Sequence, residues 1–143
     1  MAAYPGRMRA LVLLATVFMT AVVAVAASGA GTSTQTDLRI TFWDEGQRAS
    51  DPVVWTLRCD PARGTHPRTG LACRRLEAGG WKLVAPVAPG AICTEIYGGP
   101  QVARVVGSLE GRKVWATFTR TNGCHISRWD RLSPWLLPNG GVR

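Results

Sequence analysis

Four cysteines restrict what this chain can become more than any other feature. Cys59, Cys73, Cys93 and Cys124 are spread through 143 residues, and their meaning depends on the compartment in which the chain folds. The amino end bears on that. Arg7 and Arg9 precede an uncharged, mostly apolar run from Ala10 to Ala27, in which Ala24-Val25-Ala26 is a small-x-small cleavage signal; Ser28-Gly29-Ala30 is a second one. This is the layout of a secretory signal peptide over residues 1–27, with cleavage after 26 or 30 as alternatives. The run is also long enough for the competing reading of an uncleaved anchor, since a membrane span needs about 20 residues. The small residues that follow at once favour removal, leaving no membrane attachment. No twin arginine precedes the run, which points to the general secretion route and an extracellular destination. In a short exported chain an even number of cysteines implies two disulfides, with three pairings open to the sequence. Zinc is disfavoured by the wide spacing and the lack of a Cys-x-x-Cys pair, so neither a metal nor a cofactor is expected.

Without the leader the chain suffices for one domain, which at this size buries only about two-thirds of its unfolded surface, so covalent staples matter. Residues 28–36 read as a flexible lead-in, rich in Gly, Ser and Thr. Leu38 to Trp43 alternates, with Leu38, Ile40 and Phe42 on one face of a half-buried strand. A polar, turn-like link leads to Asp51-Pro52 and a second strand over Val53–Arg58. Val102–Leu109 and Lys113–Arg120 are two more strands, and Glu110-Gly111 between them is a tight-turn signal for an antiparallel hairpin. Leu71–Ala78 is a short helix ended by Gly79-Gly80, and a second helix starts near His125 and stops before Pro134. The pattern is α+β: an antiparallel sheet with two short helices in a domain over 37–138, followed by a loose tail over 139–143.

At this point the residues carry a resemblance. Cys59-Asp-Pro, Gly64-Thr-His-Pro67, Ala72-Cys73 and Leu76, then Cys93-Thr-x-x-Tyr97 and Pro100, then Val105-x-Gly107-x-x-x-Gly111-x-x-Val114 and Phe118 with Gly123-Cys124, resemble the bacterial, Streptomyces-type subtilisin inhibitor-like family in order and in cysteine register. The similarity runs from about Leu38 to the carboxyl end. It implies a sheet of about five strands with two helices, the pairing Cys59–Cys73 and Cys93–Cys124, and usually a homodimer. It also implies a secreted inhibitor of serine endopeptidases, not an enzyme. The reactive loop then comprises Ile92, Cys93, Thr94, Glu95, Ile96 and Tyr97, with Glu95–Ile96 as the scissile bond and Glu95 entering the main specificity pocket.

Two features depart from that pattern. The family's loop usually runs Tyr-Asp-Pro, whereas this chain has Tyr97-Gly98-Gly99-Pro100, which is longer and freer in backbone. Many members carry Met, Lys or Arg where this chain has Glu95. A carboxylate in an apolar pocket without a partner costs several kcal/mol, so the expected partner is a subtilisin-like or, better, an acidic-residue-preferring secreted serine protease. The alternative is a non-inhibitory secreted or cell-envelope binding protein on the same scaffold.

Other motifs have blander readings. His66 is expected to brace a loop. His125, Ser127 and Asp130 are crowded into one stretch and ill-placed for a relay in which the base bridges nucleophile and carboxylate. Arg128-Trp129-Asp130-Arg131 with Trp135 mixes bases and aromatics, but no nucleic-acid-binding fold accompanies it. No nucleic acid is expected, and a solvated basic face is the reading. The formal charge of +8 falls to about +6 once Arg7 and Arg9 are set aside, enough to attract acidic polymers or an acidic protease. Trp43 and Trp115 fall on the sheet face away from the core, which fits a packed partner such as a second copy.

Overall fold

The computed structural model describes residues 35–140. The signal-peptide reading of 1–27, most of the lead-in and the last three residues lie outside them. Chain order is β1 (Asp37–Trp43), β2 (Val53–Arg58), α1 (Thr69–Gly79), a 3-10 turn (Gly80–Leu83), β3 (Val102–Leu109), β4 (Arg112–Phe118) and α2 (Gly123–Leu132). The strands form one sheet in the order β2-β1-β3-β4, every neighbour antiparallel. The resemblance implied about five strands; among the described residues there are four. The long stretch between the 3-10 turn and β3 carries Pro86, Pro89, Pro100, Gly90, Gly98 and Gly99. Prolines cannot donate to a ladder and glycines weaken one, so this stretch stays irregular.

Period-two alternation builds the core. Leu38, Ile40 and Phe42 of β1, Ala103 and Val105 of β3, and Val114, Ala116 and Phe118 of β4 all turn to one side and are buried. The β3–β4 turn needs only Glu110 and Gly111, both at positive φ (51° and 78°), the backbone of a two-residue hairpin whose twist matches its strands. The apolar side is covered by Ala72, Cys73 and Leu76 of α1 and by Trp129 and Leu132 of α2, with Trp135, Leu136 and Leu137 beyond it. Gly80, at φ 54°, ends the first helix and donates its N–H to the Leu76 carbonyl. The second helix begins two residues before the expected His125, because the Asn122 side chain caps it by accepting from the His125 N–H at 3.0 Å.

The structure corrects two further expectations. Arg128, Trp129 and Trp135 do not form a solvated basic face: all three are buried. Positions 128, 129 and 132 share the inward stripe of α2, and the indole N–H groups donate to the carbonyls of Pro138 and Arg131, which removes the cost of burying them. The end of the lead-in is also tied down. Thr36 is buried, its carbonyl accepts from the Cys59 N–H at 3.0 Å and its hydroxyl accepts from the Glu110 N–H at 3.3 Å.

His66 is a brace, with its tautomer legible. The Arg68 backbone N–H, which can only donate, reaches Nδ1 at 3.1 Å, so the proton sits on Nε2 and is donated to the Leu136 carbonyl at 3.1 Å. Burial, and then the nearby Arg68 charge, lower the pKa of the ring below its ordinary value. The sheet's outer face presents Arg39, Lys113 and the tryptophans. The Arg104 guanidinium lies 5.7 Å from the ring centroid of Trp43 and 5.9 Å from that of Trp115.

Candidate reactive loop

Residues 91–97 have no regular secondary structure, and all of them except Cys93 are exposed. Apolar side chains stand in solvent here: Ile92 is 100% accessible, Ile96 59% and Tyr97 64%. Most other large apolar side chains among the described residues are packed, so three such groups within six residues mark a surface made to be covered. Glu95 lies between Ile92 and Ile96 and is exposed.

The loop is exposed but not loose. Cys93 is joined to Cys124 in the first turn of α2, with Cα atoms 5.3 Å apart, and Cys59 to Cys73, with Cα atoms 5.5 Å apart. One residue after Cys93, the Thr94 carbonyl accepts the Gly123 N–H at 2.9 Å. On the far side, the Gly98 N–H donates to the Arg120 carbonyl at 2.7 Å. The Glu95–Ile96 peptide thus sits in a short span between two backbone anchors, Thr94 and Gly98, with a covalent anchor beside the first. Gly123 allows the close approach: a Cβ there would fall 2.0 Å from the Thr94 hydroxyl oxygen.

Upstream, the incoming segment is held by a residue that sequence reasoning had placed in solvent. The Arg128 guanidinium donates to the carbonyls of Ala85 (2.9 Å), Val84 (3.4 Å) and Thr117 (3.1 Å) and lies 4.5 Å from the Phe118 ring centroid. Such a fork matches several carbonyls at once, which a single ammonium cannot do. Between this clamp and the disulfide, a groove of about 440 Å³ separates the segment from α2, lined in part by Ala88, Ile92, Thr94 and Ser127. The signal for Arg128 in the sequence was its place one step before Trp129 on the apolar stripe of α2.

The six loop residues named from sequence lie in one exposed stretch; Gly123 bonds it at Thr94, Arg120 bonds its far flank at Gly98, and Arg128 holds the incoming segment at Val84 and Ala85. His125 and Ser127 lie on the helix behind the loop; the His125 backbone is used in the cap.

Comparison with known proteins bears on the same residues. A family model described as "Subtilisin inhibitor-like" matches residues 32–122. Kexstatin-1 of Streptomyces platensis is 33% identical over 125 residues, which covers 82% of this chain and 86% of that protein. Subtilisin inhibitor-like protein 2 of Streptomyces rochei is 39% identical over 83 residues, covering 56% of this chain and 73% of its own. A crystal structure of Streptomyces caespitosus sermetstatin in complex with Bacillus licheniformis subtilisin aligns with a TM-score of 0.49 at 27% identity, over 73% of this chain and 99% of that one. With the family model spanning most of the described domain and a relative matched along most of its length, the chain belongs to the subtilisin inhibitor-like family.

Proposed function

We propose that this chain is a secreted inhibitor of serine endopeptidases that offers Ile92–Tyr97 to the enzyme as a substrate would, with Glu95–Ile96 as the reactive bond. One observation carries this reading. Three of the five exposed large hydrophobic side chains among the described residues, Ile92, Ile96 and Tyr97, lie in one segment, and that segment is pinned by a disulfide and by backbone bonds on both sides of one peptide. A loop held in its bound shape loses little conformational entropy on docking, which supports tight association. The same restraint keeps the two sides of a cut bond together, which favours rejoining over release.

Glu95 sets the partner. Its carboxylate needs a donor-rich pocket, where it forms charge-assisted hydrogen bonds. The best target is thus a secreted serine protease that prefers acidic residues, and ordinary subtilisin is inhibited weakly. The test is incubation of the folded, disulfide-bonded chain with subtilisin, trypsin and a glutamate-preferring serine protease. Stoichiometric loss of activity in the last, with slow single cleavage after Glu95, supports the reading. General degradation, or no effect on any of the three, refutes it in favour of a non-inhibitory binding protein on the same scaffold.

The outer sheet face supports a homodimer. Trp115 is 75% exposed and shares the Arg104 guanidinium with Trp43. Two such faces packed together would cover this aromatic surface, whose isolation in solvent is unfavourable.

A further inference from the structure

We infer that Arg120 is the positioning residue for the leaving side of the reactive loop, an assignment that rests on Glu95–Ile96 being the reactive bond. Arg120 follows β4 and is 5% exposed. Its carbonyl accepts the Gly98 N–H at 2.7 Å, and its side chain turns under the same residue. A Cβ built on Gly98 would lie 3.2 Å from Arg120 Nε, and one on Gly140 would lie 1.4 Å from Nη1, so the guanidinium is wedged between the loop and the carboxyl-terminal segment. Nε and Nη1 are buried and have no hydrogen-bond partner among the described residues. Gln101, also buried, lies beneath the next residue: a Cβ on Gly99 would fall 2.3 Å from its Oε1, itself without a partner. Of the two glycines that replace the family's usual loop sequence, Gly98 therefore rests on a buried cation with donors to spare, and Gly99 on the Gln101 amide.

Buried donors without acceptors are unfavourable, so the guanidinium gains from any acceptor the loop can bring to it. Cleavage supplies one. The protease serine oxygen attacks the Glu95 carbonyl carbon, the C–N bond to Ile96 breaks, and the nitrogen leaves as an amine after taking a proton. The freed strand Ile96–Gly98 relaxes onto Arg120, whose Nε–H and Nη1–H take a backbone carbonyl of that strand. The Ile96 amine then stays within reach of the acyl carbon and attacks it, its proton passing through the protease's own base to the serine oxygen, which departs as the hydroxyl. Arg120 acts through the loop and does not touch the enzyme.

The test uses the full disulfide-bonded chain with Arg120→Met, Arg120→Lys and Gly98→Asp, and Gly98→Ala as a control. Gly98 lies outside the left-handed region, and the nearest obstacle to a side chain there is the flexible end of Ile126, so the backbone accepts Asp. In the free protein, Arg120→Met is expected to speed amide exchange at Gly98 by about tenfold or more while Gly123 stays within about twofold. With catalytic glutamate-preferring protease, the equilibrium ratio of cut to intact chain falls about tenfold in Arg120→Met, is partly restored in Arg120→Lys, and falls below the parent's in Gly98→Asp, whose carboxylate already pairs the guanidinium in the intact chain, but not in Gly98→Ala. Exchange that rises equally at Gly98 and Gly123, or a ratio unchanged across the series, overturns the assignment. If Arg120→Met does not fold, the contrast between Gly98→Asp and Gly98→Ala decides. If the parent inhibits no protease, the reactive-bond reading fails, while the exchange contrast still decides whether Arg120 holds the loop.

Discussion

Removing the Cys93–Cys124 bridge separates local tethering from general stability. The two disulfides close loops of similar reach, with sequence separations of 31 and 14. In the chain-entropy model these are worth about 3.7 and about 3.0 kcal/mol at 25 °C. Cys93→Ser with Cys124→Ser, and Cys59→Ser with Cys73→Ser, should therefore lower the unfolding free energy by nearly the same amount. Their effects on inhibition should not match. Cys93 lies two residues before Glu95 and is itself part of the displayed segment, whereas the other bridge ties the end of β2 to α1. If all of the first bridge's contribution is felt as order in the loop, its loss weakens binding by up to about 400-fold, at tenfold for each 1.4 kcal/mol. The other pair should change binding by less than about threefold. The assay is urea unfolding of each double variant, together with the inhibition constant and the single-turnover rate of cleavage after Glu95 with a glutamate-preferring serine protease. Equal weakening in both, or an inhibition constant unmoved by loss of Cys93–Cys124, would refute the claim that this bridge works by holding the reactive bond.

Further outcomes follow from the same geometry. Glu95→Lys should turn the chain into a trypsin inhibitor with a gain of about 100-fold or more, since the carboxylate no longer opposes an anionic pocket; an unchanged trypsin inhibition constant would move the reactive bond elsewhere. Arg128→Met removes donors from Val84, Ala85 and Thr117 and should lower stability by about 3 kcal/mol in urea unfolding, with Arg128→Lys recovering only part. His66 has a lowered pKa in the folded state, so the stability linked to its neutral form is fully present above the ordinary value of 6.5 and is lost as pH falls toward the lowered value. The urea midpoint should drop between pH 7.5 and 5, with a smaller drop in His66→Gln. Trp115→Asp should shift sedimentation from dimer to monomer at micromolar concentration while leaving inhibition intact; a parent that is already monomeric would count against the paired sheets.

Much of the fold was legible because local periodicity and burial agree. Leu38, Ile40 and Phe42 read as one strand face, and all three are core; Glu110-Gly111 read as a tight turn, and both residues have positive φ. Strand number was less legible, since the fifth strand came from the resemblance while the proline- and glycine-rich stretch around Gly90 argues for irregular backbone. The basic aromatic run at 128–131 misled because its spacing suits a solvated surface as well as a buried stripe; only the carbonyls of Val84 and Ala85, more than 40 residues earlier, make Arg128 an interior group.

What the sequence by itself determined is the inventory: an even set of cysteines, strand and helix segments, and an apolar segment flanked by a cysteine and two glycines. What only the tertiary structure decided is which distant groups hold that segment still. Periodicity reports on neighbours within a turn or a strand, whereas the grip on Glu95–Ile96 comes from Gly123, Arg120 and Cys124, which reach it only after the β3–β4 hairpin has closed and α2 has packed beside it. Long-range closure of this kind depends on the whole core forming at once, and no local pattern encodes it.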